Sequence, residues 1–276
     1  MSPDPTLVCS DTLARVIVRY ELDEHVAVLT LDRPNVLNAF DAAMGRDALA
    51  ALQQAAADPD ARCIVVTGAG RAFSSGEDLA ALSKTYEAGD APDLGPTLRD
   101  KYNPIVRAIR SAPKPVVAAL NGVAAGAGVG IALACDWRLA ADNARLVLAF
   151  TKIGLVPDSG SLWWLTRYGG AARAWAIAAS GEAIDAAKAL DLGLVNEVAP
   201  ASEFEGVWRA AARSFAQGPT RAYALTKSLV SFALDHSLDE QLEREVDIQT
   251  EAGRTEDHLE GVRAFLAKRR PEFKGR

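Results

Sequence analysis

The chain has 276 residues, about half of them apolar (49%), three cysteines and a formal net charge of −6. That is enough apolar material to bury a large core, so disorder is excluded as the main state. The acidic balance excludes a nucleic-acid-binding surface, which needs a field of Lys and Arg, and no apolar run is long enough to span a membrane.

Cys9, Cys63 and Cys135 are far apart and show no C-x-x-C spacing, so neither a disulfide framework nor a zinc site is expected. Residues 1–11, with Pro3 and Pro5, lack the basic start and apolar run of a signal peptide. The expected location is cytoplasmic.

In chain order, residues 25–31, 61–67, 115–120 and 146–150 read as β-strands. Residues 41–57 and 98–109 between them carry apolar side chains at helical spacing. Such β-α alternation predicts an α/β fold with a largely parallel sheet. Residues 84–96 hold Gly89, Pro92, Gly95 and Pro96 and read as a mobile loop after a short helix. Beyond residue 200 the strand signal ends, and 203–217, 220–234, 238–252 and 256–269 read as amphipathic helices. A core over 11–200 and a helical region over 201–276 are expected, with no exact internal repeat.

Three segments carry candidate chemistry. Arg71-Ala72-Phe73-Ser74-Ser75-Gly76-Glu77-Asp78-Leu79 follows a strand where a helix should start. Free N–H groups at a helix start suit a developing oxygen anion; taken alone, the segment is more simply an ordinary strand-to-helix turn with Ser74 or Ser75 as N-cap. Residues 121–130, with Gly122, Gly126, Gly128 and Gly130, form a second candidate anion cradle; tight helix-on-strand packing is the alternative. The glycines lack the G-x-G-x-x-G spacing of a dinucleotide site. Asp158, after Pro157, stands near the start of a helix over 161–168, either as a helix-end acid or as a catalytic one. Trp163 and Trp164 can wall an apolar pocket or simply pack.

His25, His236 and His258 are scattered, with no metal-ligand spacing, and no G-x-S-x-G elbow supports a Ser-His-Asp hydrolase. The basic cluster Lys268-Arg269-Arg270 with Lys274 reads as a solvated helix end or a phosphate partner.

Taken together, Leu31-Asp32-Arg33-Pro34, Leu37-Asn38-Ala39, Phe73 to Leu79, Asn121 to Asp136 and Phe265 to Arg276 resemble the enoyl-CoA hydratase/isomerase, or crotonase, family over nearly the whole chain. The resemblance implies a repeated β-β-α spiral core with a C-terminal helical trimerisation region. It implies an acyl-coenzyme A thioester as substrate, no prosthetic group, and assembly as a homotrimer or dimer of trimers. It makes the backbone N–H groups of Ser75 and Ala127 the oxyanion hole. Arg33, Val36, Ala72, Ser74, Phe265 and Lys268 would surround coenzyme A, and Gly126, Gly130, Phe150 and Trp163 the acyl pocket.

Family hydratases carry two glutamates where this chain has Gly130 and Phe150. Hydration needs a base for water and an acid for the α-carbon, and neither residue can act as one. Asp158 stands where isomerase members place their acid/base, and the run from Ala149 to Gly160 is similar to the ring-epoxide isomerases of phenylacetyl-CoA degradation and to enzymes that move a double bond in an enoyl-CoA. The expected activity is therefore isomerisation through a thioester enolate. The rivals are a hydratase-like lyase, a thioester hydrolase or dehalogenase, and a non-catalytic acyl-CoA binder.

Overall fold

The computed structural model describes residues 17–89 and 92–276. Cys9, residues 1–11 and the expected core boundary at 11 lie outside the described residues, as do Asp90 and Ala91 of the expected loop.

Among the described residues, ten strands form two sheets. The larger orders β1 (Val18–Asp23), β2 (Val26–Leu31), β3 (Cys63–Gly68), β5 (Val116–Leu120), β7 (Trp137–Ala141) and β10 (Glu197–Ala199) side by side; the smaller orders β4 (Ala72–Ser74), β6 (Val123–Ala125), β8 (Arg145–Val147) and β9 (Ala183–Asp185). Pairing is parallel except at β1/β2 and β8/β9. Consecutive pairs β3–β4, β5–β6 and β7–β8 each place one strand in each sheet before a helix follows. This is the β-β-α spiral, present in architecture without repeated sequence.

The central strands of the larger sheet are buried on both faces, which is why they read as continuous apolar runs. Alternate residues serve different cores: Ile64 and Val66 of β3 join the core shared with the second sheet, while Cys63 and Val65 face the other way. That second core is closed by Phe204, Trp208, Ala212 and Ala216 of the helix Phe204–Ala216. The expected division at residue 200 therefore separates a strand and a helix that share one core. The helices Thr220–Ala233, Leu238–Gly253 and Glu256–Leu266 follow.

Several expectations change. The strand read over 146–150 stops at Val147, and Phe150 lies in a 3-10 turn, Ala149–Ile153, closed by Gly154 at φ 73°. β4, β6 and β9 are only three residues long, and β7 is Trp-Arg-Leu-Ala-Ala; their propensity is weak and pairing in the sheets stabilises them. The segment 84–96 contains helical turns at Ser83–Glu87 and Leu94–Thr97, the latter capped by Asp93. No helix among the described residues is long and apolar enough to cross a membrane.

Candidate active site

The site begins where two loops are tied together by one buried side chain. Asn38, in the left-handed region at φ 57°, accepts at Oδ1 from the Arg33 N–H (2.9 Å) and donates through Nδ2 to the carbonyls of Ala69 (3.0 Å) and Ala72 (2.8 Å). Its own carbonyl accepts from Ser74 Oγ, which in turn accepts from the Gly76 N–H. Asn tolerates a left-handed backbone better than most residues and has the polar atoms to span both loops.

This arrangement assigns nearly every backbone donor that follows β4. The Ser75 N–H donates to the Leu37 carbonyl at 2.9 Å, and the Asp78 N–H to the Phe40 carbonyl at 3.0 Å, while Phe40 donates to the Gly76 carbonyl at 2.7 Å. Ser75 is therefore not a free oxyanion donor, which corrects the expectation, and its Oγ donates to the Val36 carbonyl. Nor do Ser74 or Ser75 start a helix; Asp78 caps the 3-10 turn Leu79–Leu82. The Glu77 N–H has no acceptor among the described residues.

Gly126, at φ 52° and ψ −127°, turns the chain from β6 into the helix Ala127–Ala134. Only glycine adopts such a conformation without strain. Its N–H donates to the Val147 carbonyl, leaving the Ala127 N–H as a first-turn donor with no acceptor among the described residues. The two loops abut: a methyl on Gly76 would stand 2.8 Å from the Ala125 carbonyl oxygen and 3.3 Å from the Ala127 nitrogen. Free donors at Glu77 and Ala127 thus come from neighbouring turns.

Asp158 precedes a tight turn formed by Ser159 (φ 52°) and Gly160 (φ 74°). Its carbonyl accepts from the Ser161 N–H and Oγ at the start of the helix Ser161–Gly169, and its carboxylate accepts from Ser159 Oγ at 2.8 Å. The side chain does not cap that helix. Burial raises its pKa above the ordinary aspartate range and the charge of Glu77 adds to the rise, against the Ser159 hydrogen bond and Lys101. Buried Phe150 lies against the Gly126 turn: a methyl on Gly126 would touch its ring tip at 3.7 Å.

Gly130 has a specific reason to be glycine. A Cβ there would stand 2.5 Å from the Ser159 carbonyl oxygen, 2.7 Å from its Cβ and 3.0 Å from its carbonyl carbon. The loop carrying Asp158 occupies the space a side chain at 130 would enter.

The residues expected around coenzyme A differ in exposure and in their partners. Ala72 and Ser74 are fully buried, and the Ala72 carbonyl is held by Asn38 and Asn121, so their side chains are internal packing. Arg33 is committed to Asp41, Asp78 and the Ala39 carbonyl. Val36 is exposed beside Ser75, and Phe265, exposed on the last helix, lines an apolar groove with Pro219, Ala222 and Phe273. Lys268 follows that helix at φ 53°, and Arg269 folds back as a bidentate partner of Glu260, so it is not a free phosphate ligand. Trp163 packs edge-on against Trp164 and under the Arg167 guanidinium, so packing accounts for it. His25 and His236 bond to the Asp60 and Phe232 carbonyls, and Ser159 to Asp158, which leaves no Ser-His-Asp triad among the described residues.

Sequence reasoning missed Glu77 as a donor, although its motif was in view. It also missed Lys101 and Tyr102, whose side chains reach the Glu77 carboxylate at 2.7 and 2.5 Å; only the Tyr-Asn-Pro helix start marks that place.

Comparison with known proteins gives the family. A family model described as enoyl-CoA hydratase/isomerase matches residues 21–276. A protein of Rhodobacter capsulatus named a probable enoyl-CoA hydratase is 47% identical, over 94% of this chain and 98% of its own. The 1,2-epoxyphenylacetyl-CoA isomerase of Escherichia coli is 42% identical, over 92% and 97%. The solved structure of an enoyl-CoA hydratase from a Polaromonas species matches with a TM-score of 0.85 at 33% identity, covering 93% of this chain and 99% of that one. The chain belongs to the enoyl-CoA hydratase/isomerase family.

Proposed function

We propose that the chain is an acyl-CoA isomerase that works through a thioester enolate, with the Glu77 and Ala127 N–H groups as oxyanion donors and Asp158 as the acid/base. The observation that carries this reading is the placement of the Ser159 backbone against Gly130. The loop that presents Asp158 excludes a side chain at 130, where family hydratases carry one of their glutamates. With Phe150 at the other glutamate position, Asp158 is left as the proton-transfer group.

In this mechanism the two N–H groups hold the thioester oxygen and stabilise the negative charge that forms on it, each donor contributing about 3 kcal/mol in the transition state. Asp158 takes a proton from C2 of a 3-enoyl-CoA, the electron pair moves through C3 to C4, and Asp158 returns the proton to C4. A single carboxylate can serve both carbons from one face. Its raised pKa brings it nearer working pH. A ring-epoxide thioester, the substrate class in the name of the Escherichia coli relative, would use the same oxyanion hole.

A second reading, hydration, is favoured by Glu77, a second carboxylate close enough to act on Asp158. Its oxygens are engaged by Lys101 and Tyr102, which speaks against a role as the base for water. Loss of enoyl absorbance with crotonyl-CoA would establish hydration; conversion of 3-enoyl-CoA to 2-enoyl-CoA, abolished in Asp158→Asn, would establish isomerisation. Release of free CoA would instead mark a hydrolase, and absence of C2 proton exchange in heavy water a non-catalytic binder.

The same reading makes the active form a homotrimer or dimer of trimers in which a second copy completes the coenzyme A shell. Leu238, Leu242 and Val246 lie exposed along one helix, and Phe265 and Leu266 on the next, an apolar surface of the kind that marks an interface. Light scattering reads the assembly directly.

A further inference from the structure

Beside the proposed oxyanion hole lies a charge cluster that the mechanism above does not use. Lys101 Nζ is 2.7 Å from both oxygens of Glu77 and 3.4 Å from the Phe40 carbonyl. Tyr102, itself buried, donates its hydroxyl to Glu77 Oε2 at 2.5 Å. Phe40 also bridges the residues on either side of Glu77, donating to the Gly76 carbonyl and accepting from the Asp78 N–H. Lys101 therefore holds both the side chain of Glu77 and the strand-like contact that fixes its backbone.

Two local features accompany this contact. Lys101 and Tyr102 sit in a π-helical turn, Leu98–Tyr102, where the Asn103 N–H reaches back to the Leu98 carbonyl; such turns gather at functional sites. Opposite them, Gly45 is buried inside the helix Ala42–Ala57, where glycine costs about 1 kcal/mol relative to alanine. A methyl there would fall on the Lys101 Cγ and stand 2.8 Å from its Cδ. The glycine makes room for the lysine stem.

We propose that Gly45, Lys101 and Tyr102 are positioning residues that clamp the Glu77 carboxylate beside Asp158, fixing the Glu77 backbone donor and compensating the charge that faces the catalytic carboxylate. The inference rests on the assignment of Asp158 and the Glu77 N–H above. The charged groups acting on Asp158 are Glu77 and Lys101, with Ser159 as its hydrogen-bond partner. Tyr102 feels Glu77, Asp158 and Asp78, and Asp78 is paired with Arg33.

Opposite signs test the clamp. Lys101→Met leaves Glu77 uncompensated, so the acid limb of the kcat/KM profile for 3-enoyl-CoA isomerisation moves to higher pH. Glu77→Gln removes the repelling charge, and the limb moves to lower pH. The double variant falls between them. Lys101→Met also lowers kcat about 10- to 100-fold with little change in KM, because the donor is misplaced rather than lost. Gly45→Ala, which keeps the helix, shifts the limb in the same direction as Lys101→Met and by less.

The same titration is followed without turnover from the carbon-13 signal of the Asp158 carboxylate, identified by its loss in Asp158→Asn. Limbs and carboxylate titrations that stay fixed, or move the same way in both single variants, overturn the clamp. Retained turnover in Asp158→Asn overturns the catalytic assignment instead, while the carboxylate titration still decides the clamp.

Discussion

Gly130→Ala isolates the steric relation that decides the reading of this site. Gly130 lies within the helix Ala127–Ala134, so helix propensity alone favours alanine by about 1 kcal/mol. Against that, the new methyl meets Ser159 backbone atoms at 2.5 and 3.0 Å and its Cβ at 2.7 Å, and overpacking of this kind costs about 1–3 kcal/mol or more. The net expectation is a loss of up to about 2 kcal/mol, or up to about 8 °C in Tm for a chain of this size. Gly206→Ala is the control. It lies in the helix Phe204–Ala216 with nothing within 4 Å of the added methyl, and it should stabilise by about 0.4–1 kcal/mol. Differential scanning calorimetry of the two variants and isomerase activity with 3-enoyl-CoA are the assays. Because displacement of Ser159 carries Asp158 with it, Gly130→Ala should lose about 100-fold in kcat. A Gly130→Ala enzyme as stable as Gly206→Ala and fully active, or hydration of crotonyl-CoA gained in Gly130→Glu, would refute the reasoning.

Asp158→Asn should reduce isomerase kcat by about 10²- to 10⁴-fold while raising Tm at neutral pH. The sign follows from its pKa being raised in the folded state: its contribution to stability declines as pH rises above the ordinary aspartate value. The Tm gain of the variant should therefore vanish below that value, and a gain that persists in acid would count against the burial argument. The acid limb of the wild-type kcat/KM profile should lie above the ordinary carboxylate range. Asn38→Ala removes three side-chain hydrogen bonds and a residue suited to positive φ; a destabilisation of about 2–4 kcal/mol in urea unfolding is expected. In a Cys9→Ser background, Cys63 and Cys135 should resist thiol reagents until unfolding, since both are fully buried and burial pushes the Cys135 thiol up to about 12. Rapid labelling of the native protein would contradict their burial.

Much of this protein was legible in its sequence. The central strands, the helix over 41–57 and the four C-terminal helices follow from apolar periodicity and capping residues such as Asp41 and Ser237. These signals are local, and local physics sets them. Gly126 as a turn residue and Asp158 as a candidate acid were also visible, because the residue type itself restricts what the position can do.

The tertiary structure alone decided which backbone N–H groups are free. Ser75 and Glu77 stand two apart in one motif, and only the pairing of the Leu37 and Phe40 carbonyls with the residues around them shows that, among the described residues, the first has an acceptor and the second has none. The three-residue strands, the two-sheet spiral and the packing of Phe204–Ala216 onto the larger sheet depend on contacts between distant segments, which no sequence window contains. The same holds for Gly130 against Ser159 and Gly45 against Lys101. A glycine in a helix reads as a weakness in the sequence, and its reason is the atom that a distant part of the chain places beside it.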